Sequence, residues 1–341
     1  MAYVVPRYSR SQVDQAGRTL VATNSTGSDK IRAMVIVDNW RASHSFPLNT
    51  FQMSLRRWTK AVDPDSLVAQ RIKRLSSTED KLRRFPTMKL SQMQDIGGCR
   101  AVVSSVARVR QLREIYHESD LKHKLVGEKD YIGNPKASGY RGVHLIYRYR
   151  SDKNPTYDGH LIEVQLRSRV QHAWATAVET VGTFLKQSLK ASQGEDQWLD
   201  FFTLMGSAIA IREGSQPVPG TPTNPAQLKQ ALQEASDRLD VRKKLAAYSR
   251  TVQMVQDGTL SAHYFLLDLQ PQDGTLTVTG FEKRALNEAT RRYLDVEKTL
   301  TSPGAEAVLV SVESLSTLRA AFPNYFLDTK VFVEAMDKAL H

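Results

Sequence analysis

Cysteine is nearly absent from this chain, and long apolar runs are missing as well. The 341 residues contain a single cysteine, Cys99, which leaves neither a disulfide framework nor a CxxC-type zinc site. No apolar run approaches the roughly 20 residues that cross a membrane, and the opening stretch MAYVVPRYSRSQ lacks the apolar core of a signal peptide. We therefore expect a soluble cytoplasmic protein that has no membrane partner.

Two common classes of phosphate-transferring enzyme are excluded by missing motifs. The chain contains no GxxxxGK[ST] loop of the P-loop enzymes and neither the HRD nor the DFG motif of protein kinases. Any chemistry on phosphates must therefore use a different set of residues.

Positive charge is plentiful but unevenly distributed. The formal net charge is +11, yet from Thr221 onward 14 Lys and Arg face 15 Asp and Glu, whereas 33 face 21 before it. The positive excess lies entirely in the first two thirds of the chain. Such a region favours binding to the phosphates of nucleotides or nucleic acid, although a basic surface that only aids solubility fits the charge equally well.

Two independent signals place a domain boundary near residue 220. Residues 214–227, GSQPVPGTPTNPAQ, concentrate Pro, Gly, Thr and Asn, a composition that resists regular structure, and the charge balance changes at the same place. We predict a first domain over 1–213, a linker over 214–227 and a second, small domain over 228–341. The chain length suits two domains.

Residue patterns predict a mixture of helices and strands. Strands are predicted at CRAVVSS, GVHLIYRYR and HLIEVQLRS, and helices at ARVRQLREIYHE and SRVQHAWATAVETVGTFLKQSL. DPDSLVAQRIKRL, with acids first and cations last, is predicted as a helix. Beyond the linker we expect a helix over 225–255 and a hairpin formed by AHYFLLDLQ and TLTVTGF. The predicted fold class is α+β, a mixed sheet flanked by helices, with a second small α+β domain.

Charged residues lie in two stretches, one before the first predicted strand and one that runs into it. RIKRLSSTEDKL carries Arg71, Lys73 and Lys81, where a polyphosphate would find several positive charges, although a solvated charged face explains them as well. In QDIGGCRAVV, Asp95 stands before a Gly-Gly turn and Arg100 lies on the strand. An aspartate in an ordinary turn is the alternative explanation for Asp95.

A glycine-broken loop, KDYIGNPKASGYRGVHLIYRYR, combines groups that suit a nucleotide. Lys129 and Lys136 provide point charges for phosphates. Tyr140 offers a flat ring on which a base would stack, and His144 would hydrogen-bond a phosphate or a sugar. The alternative is that Tyr140 and His144 only pack within the protein.

A carboxylate on the next predicted strand completes the set. Glu163 and Gln165 are two residues apart and therefore share one face of a strand. If Glu163 converged with Asp95, the two acids would form a sparse Mg²⁺ site of the kind used with substrate phosphates. Glu163 would alternatively take a proton from an attacking hydroxyl. Together these groups indicate phosphoryl or pyrophosphoryl transfer, in which positioning and charge stabilisation supply most of the catalysis.

The four stretches RIKRLSSTEDKL, DIGGCRAVV, KDYIGNPKASGYRGVHLIY and IEVQLRS, in this order, resemble the synthetase domain of the RelA/SpoT alarmone synthetases. The resemblance covers about residues 45–190. It implies an ATP-dependent pyrophosphokinase that transfers the β,γ-pyrophosphate of ATP to a ribose 3′-hydroxyl. No His-Asp dipeptide occurs in the chain, so the metal-dependent hydrolase half of the bifunctional members has no counterpart here.

The resemblance also implies roles for individual residues. Arg71 and Arg100 would sandwich the adenine of ATP, and Lys73 and Lys81 would hold its phosphates. Asp95 and Glu163 would be the catalytic acids that bind Mg²⁺, and Glu163 would also activate the acceptor hydroxyl. The acceptor side would consist of Tyr140, stacked on the acceptor base, and of Lys129, Lys136, His144 and Gln165.

The second domain resembles the antitoxin part of the CapRel type of fused toxin–antitoxin. In that type the acceptor is the 3′-CCA end of tRNA, so modification inhibits translation, and a degenerate zinc-finger-like domain senses a phage capsid protein and releases the toxin. LRAAFPNYFLDT is similar to the segment that covers the adenine site there. Its usual pair of tyrosines three residues apart appears here as Phe322 and Tyr325, which the resemblance makes autoinhibitory.

Three functions remain open from the sequence. The first is a tRNA pyrophosphokinase that its own C-terminal domain inhibits, and the basic N-terminal region favours it. The second is a (p)ppGpp or (p)ppApp synthetase with a small nucleotide acceptor. The third is a non-catalytic module that binds RNA or senses a partner, against which the presence of both Asp95 and Glu163 argues.

Overall fold

Nine β-strands form a single mixed sheet in the order β3-β4-β5-β2-β1-β9-β7-β8-β6. The computed structural model describes residues 3–185, 196–250, 253–258, 262–300, 302, 305–312 and 314–341. Strands β2 and β5 pair in parallel, as do β6 and β8, and the remaining neighbours are antiparallel. The strands are β1 Leu67–Ile72, β2 Gly97–Val103, β3 Lys124–Asp130, β4 Val143–Arg148, β5 Leu161–Ser168, β6 Gln253–Gly258, β7 Tyr264–Gln270, β8 Thr275–Phe281 and β9 Glu306–Ser311.

Helices flank this sheet, which confirms the predicted α+β fold class. The local sequence favours the start of the first helix, because Ser9 and Gln12 form a reciprocal capping box there. The helices of the described part are α1 Arg10–Val21, α2 Gly27–Ser43, α3 Ser45–Val62, α4 Leu75–Arg84, α5 Val106–Glu118, α6 Arg169–Leu185, α7 Asp196–Arg212, α8 Pro225–Leu239, α9 Val241–Arg250, α10 Leu286–Thr299, α11 Leu315–Ala321 and α12 Lys330–Leu340.

The helix predicted over DPDSLVAQRIKRL is wrong, because Leu67–Ile72 forms strand β1. This strand pairs along its whole length with β2 and at two residues with β9. Tertiary pairing on both sides therefore outweighs the local arrangement of acids and cations that favoured a helix. Arg71 consequently lies on a strand, whereas Lys81 lies on the helix α4 that follows.

The single helix predicted over 225–255 is also wrong in part. Helix α8 ends at Leu239, because the next residue, Asp240, has a left-handed φ of 51°, and α9 and strand β6 follow. Residues 251 and 252 lie outside the described residues, as do residues 186–189 at the end of the predicted helix that follows β5. The predicted hairpin is confirmed by the antiparallel pairing of β7 with β8.

Alternation along the central strands separates two faces of the sheet. Cys99, Ala101 and Val103 of β2 share one buried core with alternate residues of β5 and with helices α3 and α5. The residues between them, on β2 and on β5, must therefore project to the opposite face. This second face carries the candidate site.

The two predicted domains share the sheet and a hydrophobic core. Strand β9 meets β1 through the pairs Gln70–Ser311 and Arg71–Val310. Leu232 of α8 and Phe332 of α12 pack in one cluster with Trp198 of α7. The division into 1–213 and 228–341 stays a prediction, and the structure adds that both parts bury apolar surface against each other.

The predicted linker is irregular but packed. No helix or strand occupies residues 214–224, and α8 already begins at Pro225, inside the predicted range. Val218 is buried, and its backbone N–H donates to Ser207 Oγ at 2.8 Å. The buried Arg141 donates to the carbonyl of Gln216. These contacts fix the segment against the first part of the chain.

Candidate active site

Three neighbouring strands bring charged side chains to one face of the sheet. Arg71 of β1 lies opposite Gly98 of β2, and Gly98 lies opposite Glu163 of β5. In the same way Arg100 of β2 lies opposite Gln165 of β5. Strand register therefore places two predicted donor-binding arginines beside the predicted catalytic carboxylate, although they are distant in sequence.

Asp95 lies just before β2 and is held by two lysines. Lys73 Nζ contacts Asp95 Oδ2 and Lys81 Nζ contacts Asp95 Oδ1, each at 2.9 Å. Burial raises the pKa of Asp95, but the two ammonium groups outweigh burial and leave that pKa below its usual value. The carboxylate is therefore ionised at neutral pH, and it ties the two predicted phosphate-binding lysines to the edge of the site.

Glu163 accepts hydrogen bonds on both oxygens. His144 Nδ1 lies 2.8 Å from Oε1, and Gln165 Nε2 donates to Oε2 at 2.6 Å. Burial raises the pKa of Glu163, yet His144, Gln165 and Lys81 together hold that pKa far below its ordinary value. Burial also lowers the pKa of His144, so at neutral pH the pair consists of a carboxylate and a neutral imidazole.

Both carboxylates line a single small cavity on this face. Its volume is about 30 Å³, enough for one or two water molecules and too small for an adenine ring. The predicted catalytic acids, the predicted adenine-binding arginines and one predicted autoinhibitory ring thus meet in one place. The lining residues are Ala69, Gln70, Arg71, Asp95, Gly98, Cys99, Arg100, Glu163, Gln165 and Phe322.

Tyr140 occupies a different position from the open stacking platform that the sequence predicts. Its side chain is 4% exposed and belongs to the core around Trp174. Its hydroxyl lies 2.6 Å from His144 Nε2, and Lys136 Nζ stands 5.1 Å from its ring centre. Stacking of an acceptor base on Tyr140 stays a prediction, and it would require Lys136 and the surrounding side chains to move.

Arg167 is a site residue that the sequence analysis missed. It is 2% exposed and donates from Nη2 to the Tyr140 hydroxyl at 2.5 Å and to Gln165 Oε1 at 3.1 Å. The alternation that singled out Glu163 and Gln165 extends by two residues to Arg167, so the same signal would have found it. The hydrogen bonds run from Arg167 through Tyr140 and His144 to Glu163, and they fix the orientation of the carboxylate.

Positive charge accumulates beneath the cavity. Burial, followed by repulsion from Arg167 and Arg71, lowers the pKa of Arg100 to about 9. The buried Arg167 and the half-buried Arg71 and Arg100 therefore form a positively charged group that favours an anion or an electron-rich aromatic ring.

A second, open cleft adjoins this site. Its volume is about 560 Å³, and Lys81, Lys129 and Lys136 supply cations to its wall. Lys81 thus faces the cleft and also binds Asp95 at the edge of the small cavity. The remaining lining residues are Arg84, Phe85, Met88, Gln92, Gln94, Ala137 and Ser138.

Comparison with known proteins identifies the segment that contains this site. Residues 70–183 match the family model described as a region found in RelA / SpoT proteins. The chain carries a RelA/SpoT region. Strands β2 to β5 and the second half of β1, residues 70–72, fall within it.

Two curated relatives come from Bacillus subtilis (strain 168). The GTP pyrophosphokinase YjbM is 32% identical over 116 residues, which are 33% of this chain and 54% of the relative. The GTP pyrophosphokinase YwaC is 28% identical over 120 residues, or 33% of this chain and 56% of that protein. The chain therefore spans about half the length of the curated relatives that it matches.

Solved structures give a weaker likeness. The small alarmone synthetase 1 from Bacillus subtilis bound to its product pppGpp aligns with 65% of this chain and 99% of its own, at 20% identity and a TM-score of 0.40. The small alarmone synthetase 2 of the same organism aligns with 60% of this chain and 97% of its own, at 19% identity and a TM-score of 0.41.

The RelA/SpoT region has a donor set that fits a magnesium ion. Asp95 and Glu163 are ionised at neutral pH, line the same cavity and supply the hard oxygen ligands that Mg²⁺ takes. In the described part of the chain no cluster of three or more His, Cys, Asp or Glu side chains offers a metal site. Two acids would leave several coordination positions for water and for phosphate oxygens.

The predicted autoinhibitory residues approach the RelA/SpoT region from outside it. Phe322 lies at the end of α11 and lines the small cavity with Arg71 and Arg100. Tyr325 is 1% exposed, and burial raises the pKa of its phenol to about 12, while the nearby guanidinium of Arg74 lowers it. Phe322 therefore meets the predicted adenine site directly, whereas Tyr325 packs beside Arg74.

The described helices contain no segment that is long and apolar enough to span a bilayer.

Proposed function

We propose that this protein is an ATP-dependent pyrophosphokinase of the RelA/SpoT type that modifies the 3′-CCA end of tRNA and thereby inhibits translation. One observation carries the proposal. The carboxylates of Asp95 and Glu163, separated by 68 positions in sequence, line one cavity together with Arg71 and Arg100. A turn aspartate, a surface arginine or a packed glutamate would not require this convergence.

The reaction assigns a task to each group. Arg71 and Arg100 hold the adenine between their guanidinium planes, and the ammonium groups of Lys73 and Lys81 bind the phosphates. Glu163 takes the proton as the acceptor 3′-oxygen bonds to the β-phosphorus, while the bond from that phosphorus to the α-phosphate oxygen breaks and AMP leaves. Asp95 and Glu163 would hold a magnesium ion, which would neutralise phosphate charge.

The surroundings of Glu163 suit this task by orientation rather than by basicity. Its low pKa makes it a weak base at neutral pH, so its contribution is to be ionised and correctly aimed when the hydroxyl arrives. His144 holds one oxygen, and the chain of hydrogen bonds behind it limits rotation of the carboxylate. Positioning of this kind supplies a large share of the catalysis in phosphoryl transfer.

The open cleft supports a large anionic acceptor. It presents Lys81, Lys129 and Lys136 over about 560 Å³ and adjoins the cavity through Lys81. Dispersed cations favour a polynucleotide backbone, which carries one charge on each phosphate. A nucleotide acceptor is the second candidate, because both curated relatives are named GTP pyrophosphokinases.

The C-terminal part supplies the proposed inhibition. Phe322 takes up the space beside Arg71 and Arg100, and the residual volume of about 30 Å³ excludes adenine. This arrangement supports the proposal that the C-terminal part closes the adenine site. A phage protein, by resemblance a capsid protein, is the proposed trigger that displaces this segment.

The deciding experiment follows the γ-phosphate of labelled ATP. The full-length chain and its Phe322→Ala variant are incubated separately with tRNA, with tRNA whose 3′-terminal ribose has been oxidised, and with GDP or GTP. We expect label in intact tRNA only, more with the variant, and none when Glu163→Gln is introduced. Label only in a nucleotide product would establish the second candidate instead, and label in no product from either chain would refute pyrophosphate transfer.

A further inference from the structure

The segment that joins β1 to α4 carries Lys73 and leads to Lys81, and it is held by the C-terminal part of the chain. Lys73 donates its backbone N–H to the carbonyl of Ile96 at 2.8 Å, and its own carbonyl accepts from Arg41 Nε at 3.0 Å. Arg41 belongs to α2 and is 1% exposed. The backbone position of Lys73 therefore depends on the position of this buried guanidinium.

Glu297 of α10 caps the helix that carries Lys81. Its Oε1 accepts the backbone N–H of Leu75, the first residue of α4, at 2.6 Å. The N-cap residue of this helix, Arg74, makes no capping hydrogen bond with its side chain. A carboxylate at a helix start satisfies a free donor and complements the positive end of the helix dipole. Glu297 supplies that carboxylate from 222 positions away.

The same carboxylate grips Arg41 through two parallel contacts. Arg41 Nη1 lies 2.9 Å from Oε2 of Glu297, and Arg41 Nη2 lies 3.0 Å from Oε1. The hydroxyl of Tyr293, one turn earlier on α10, accepts from Arg41 Nη2 and donates to Glu297 Oε1, each at 2.7 Å. Asp38 adds a contact to Arg41 Nη1 at 3.1 Å. Bidentate charge-assisted pairs of this kind restrict geometry strongly.

A second acid from the C-terminal part contacts the same segment. Glu306, at the start of β9, forms an ion pair with Arg74. Lys73 and Lys81 converge on Asp95, so a displacement of residues 73–75 would separate both ammonium groups from the position they share.

We propose that Glu297 is a positioning residue for the phosphate-binding lysines, acting through Leu75 and Arg41. This inference rests on the proposed function, because it takes Lys73 and Lys81 as the groups that bind the ATP phosphates. It gives the C-terminal part a role opposite to that of Phe322. One element of that part closes the adenine site, while another keeps the phosphate site assembled.

Two variants separate the cap from the charge pair. Glu297→Gln keeps an oxygen that accepts from Leu75 but loses the charge opposite Arg41, whereas Glu297→Ala removes both. Glu288→Gln, which changes an exposed acid in the first turn of the same helix, is the matched control. Tyr293→Phe removes only the hydroxyl that contacts both Arg41 and Glu297. It therefore tests the same set of contacts if the alanine variant does not fold.

The first measurement is amide hydrogen exchange of residues 74–82 in the full-length chain. We expect exchange at the start of α4 to become about tenfold faster in Glu297→Ala, as loss of a helix cap predicts, with a smaller effect in Glu297→Gln and none in Glu288→Gln. Unchanged exchange in both Glu297 variants would refute the tie, whatever the activity of the protein.

The second measurement uses the Phe322→Ala chain, in which the adenine site is expected to be open. We expect the Kd for a non-hydrolysable ATP analogue to rise about tenfold in Glu297→Ala, while the Kd for adenosine, which lacks phosphates, stays unchanged. Equal losses for both ligands would show general damage and overturn the positioning role, as would tighter binding of the analogue. A Phe322→Ala chain that binds neither ligand would refute the proposed donor site itself. The hydrogen-exchange experiment needs no ligand, so its outcome is independent of that result.

Discussion

The two halves of the nine-stranded sheet carry different kinds of side chain on the same face. In the first half, β3-β4-β5-β2-β1, this face carries Arg71, Arg100 and Glu163 near its centre. In the second half, β9-β7-β8-β6, the face continues through Val310, which lies opposite Arg71, to Phe265, which lies opposite Val310. One half keeps charges that are costly to bury, and the other covers its face with apolar side chains.

Under the proposed function, this difference indicates where a ligand would bind. The half-buried guanidiniums of Arg71 and Arg100 favour an anion or an aromatic face beside them, because a charge that is removed from water without a partner is unfavourable. Phe322, from the apolar half, provides an aromatic ring at the boundary between the two halves. An adenine ring would provide an equivalent flat surface, so under the proposed function Phe322 and a nucleotide would compete for this boundary.

The largest expected effect tests whether pyrophosphate transfer depends on Glu163, which lies in the charged half of the sheet, β3-β4-β5-β2-β1. Glu163→Gln keeps the size of the side chain but removes its charge and its capacity to accept the acceptor proton. We expect pyrophosphate transfer to fall about a thousandfold, the scale of a lost general base. Transfer is measured with labelled ATP in the Phe322→Ala chain. Glu114→Gln, at an exposed position of α5, serves as the control, and retained activity in Glu163→Gln would disprove the assigned role.

The next effect tests whether the apolar half closes the site. Phe322→Ala should open the space beside Arg71 and Arg100 and raise ATP-analogue affinity about tenfold, with a stability loss of about 3 kcal/mol for the deleted core ring. Phe322→Tyr keeps the ring and should leave affinity low. Binding is measured by calorimetry and stability by urea unfolding. Equal affinity in all three chains would rule out inhibition by this ring.

A point variant is preferable here to removal of residues 225–341. Leu232, Phe332 and Met336 pack into the cluster that contains Trp198 and Phe202. Removal would expose this core and take away four strands of the sheet, so we expect the shortened chain to aggregate. Its activity would not report on inhibition.

The smallest effect concerns acid sensitivity, which we expect to reside in the charged half. His160 is buried against Trp40 at a ring separation of 4.6 Å, and its Nε2 lies 2.8 Å from Ser43 Oγ. Burial lowers the pKa of His160 to about 4. The folded state disfavours the charged imidazole. The contribution of His160 to the free energy of unfolding is therefore complete above its ordinary pKa of about 6.5 and is lost as the pH falls towards 4.

The predicted loss of stability from this group is about 2 kcal/mol between pH 7 and pH 4.5. Urea unfolding at the two pH values should show a smaller difference in His160→Gln than in the unmodified chain. His341→Gln, at the exposed C-terminus, is the control and should not change the difference. An identical pH dependence in His160→Gln would contradict the lowered pKa.

Much of the site follows from the sequence because strands impose a simple geometry. Alternation in IEVQLRS was sufficient to place Glu163 and Gln165 on one face, and the strand over CRAVVSS placed Arg100 correctly on β2. Strand β1 was mistaken for a helix, because only its pairing with β2 and β9 makes it a strand. Local charge order carries no information about those partners.

Contacts between distant residues could not be predicted. Burial of Tyr140 depends on Trp174 and on the core around α7, which no local pattern indicates. The pairing of Arg41 with Glu297 joins residues 256 positions apart, and each looks like an ordinary surface charge on its own helix. Such contacts become visible only when the sheet brings the two halves of the chain together.

The short pairing between β1 and β9 bears on how the proposed closed form would open. Among the described residues, β1 and β9 pair at Gln70–Ser311 and Arg71–Val310 alone. Separating the two halves of the sheet would therefore break few backbone hydrogen bonds but would expose two unpaired strand edges. Unpaired strand edges can pair with strands of other molecules, so full separation of the two halves would favour aggregation of the protein. We therefore expect the proposed activation to move α11 and the ring of Phe322 away from the small cavity while β1 and β9 remain paired.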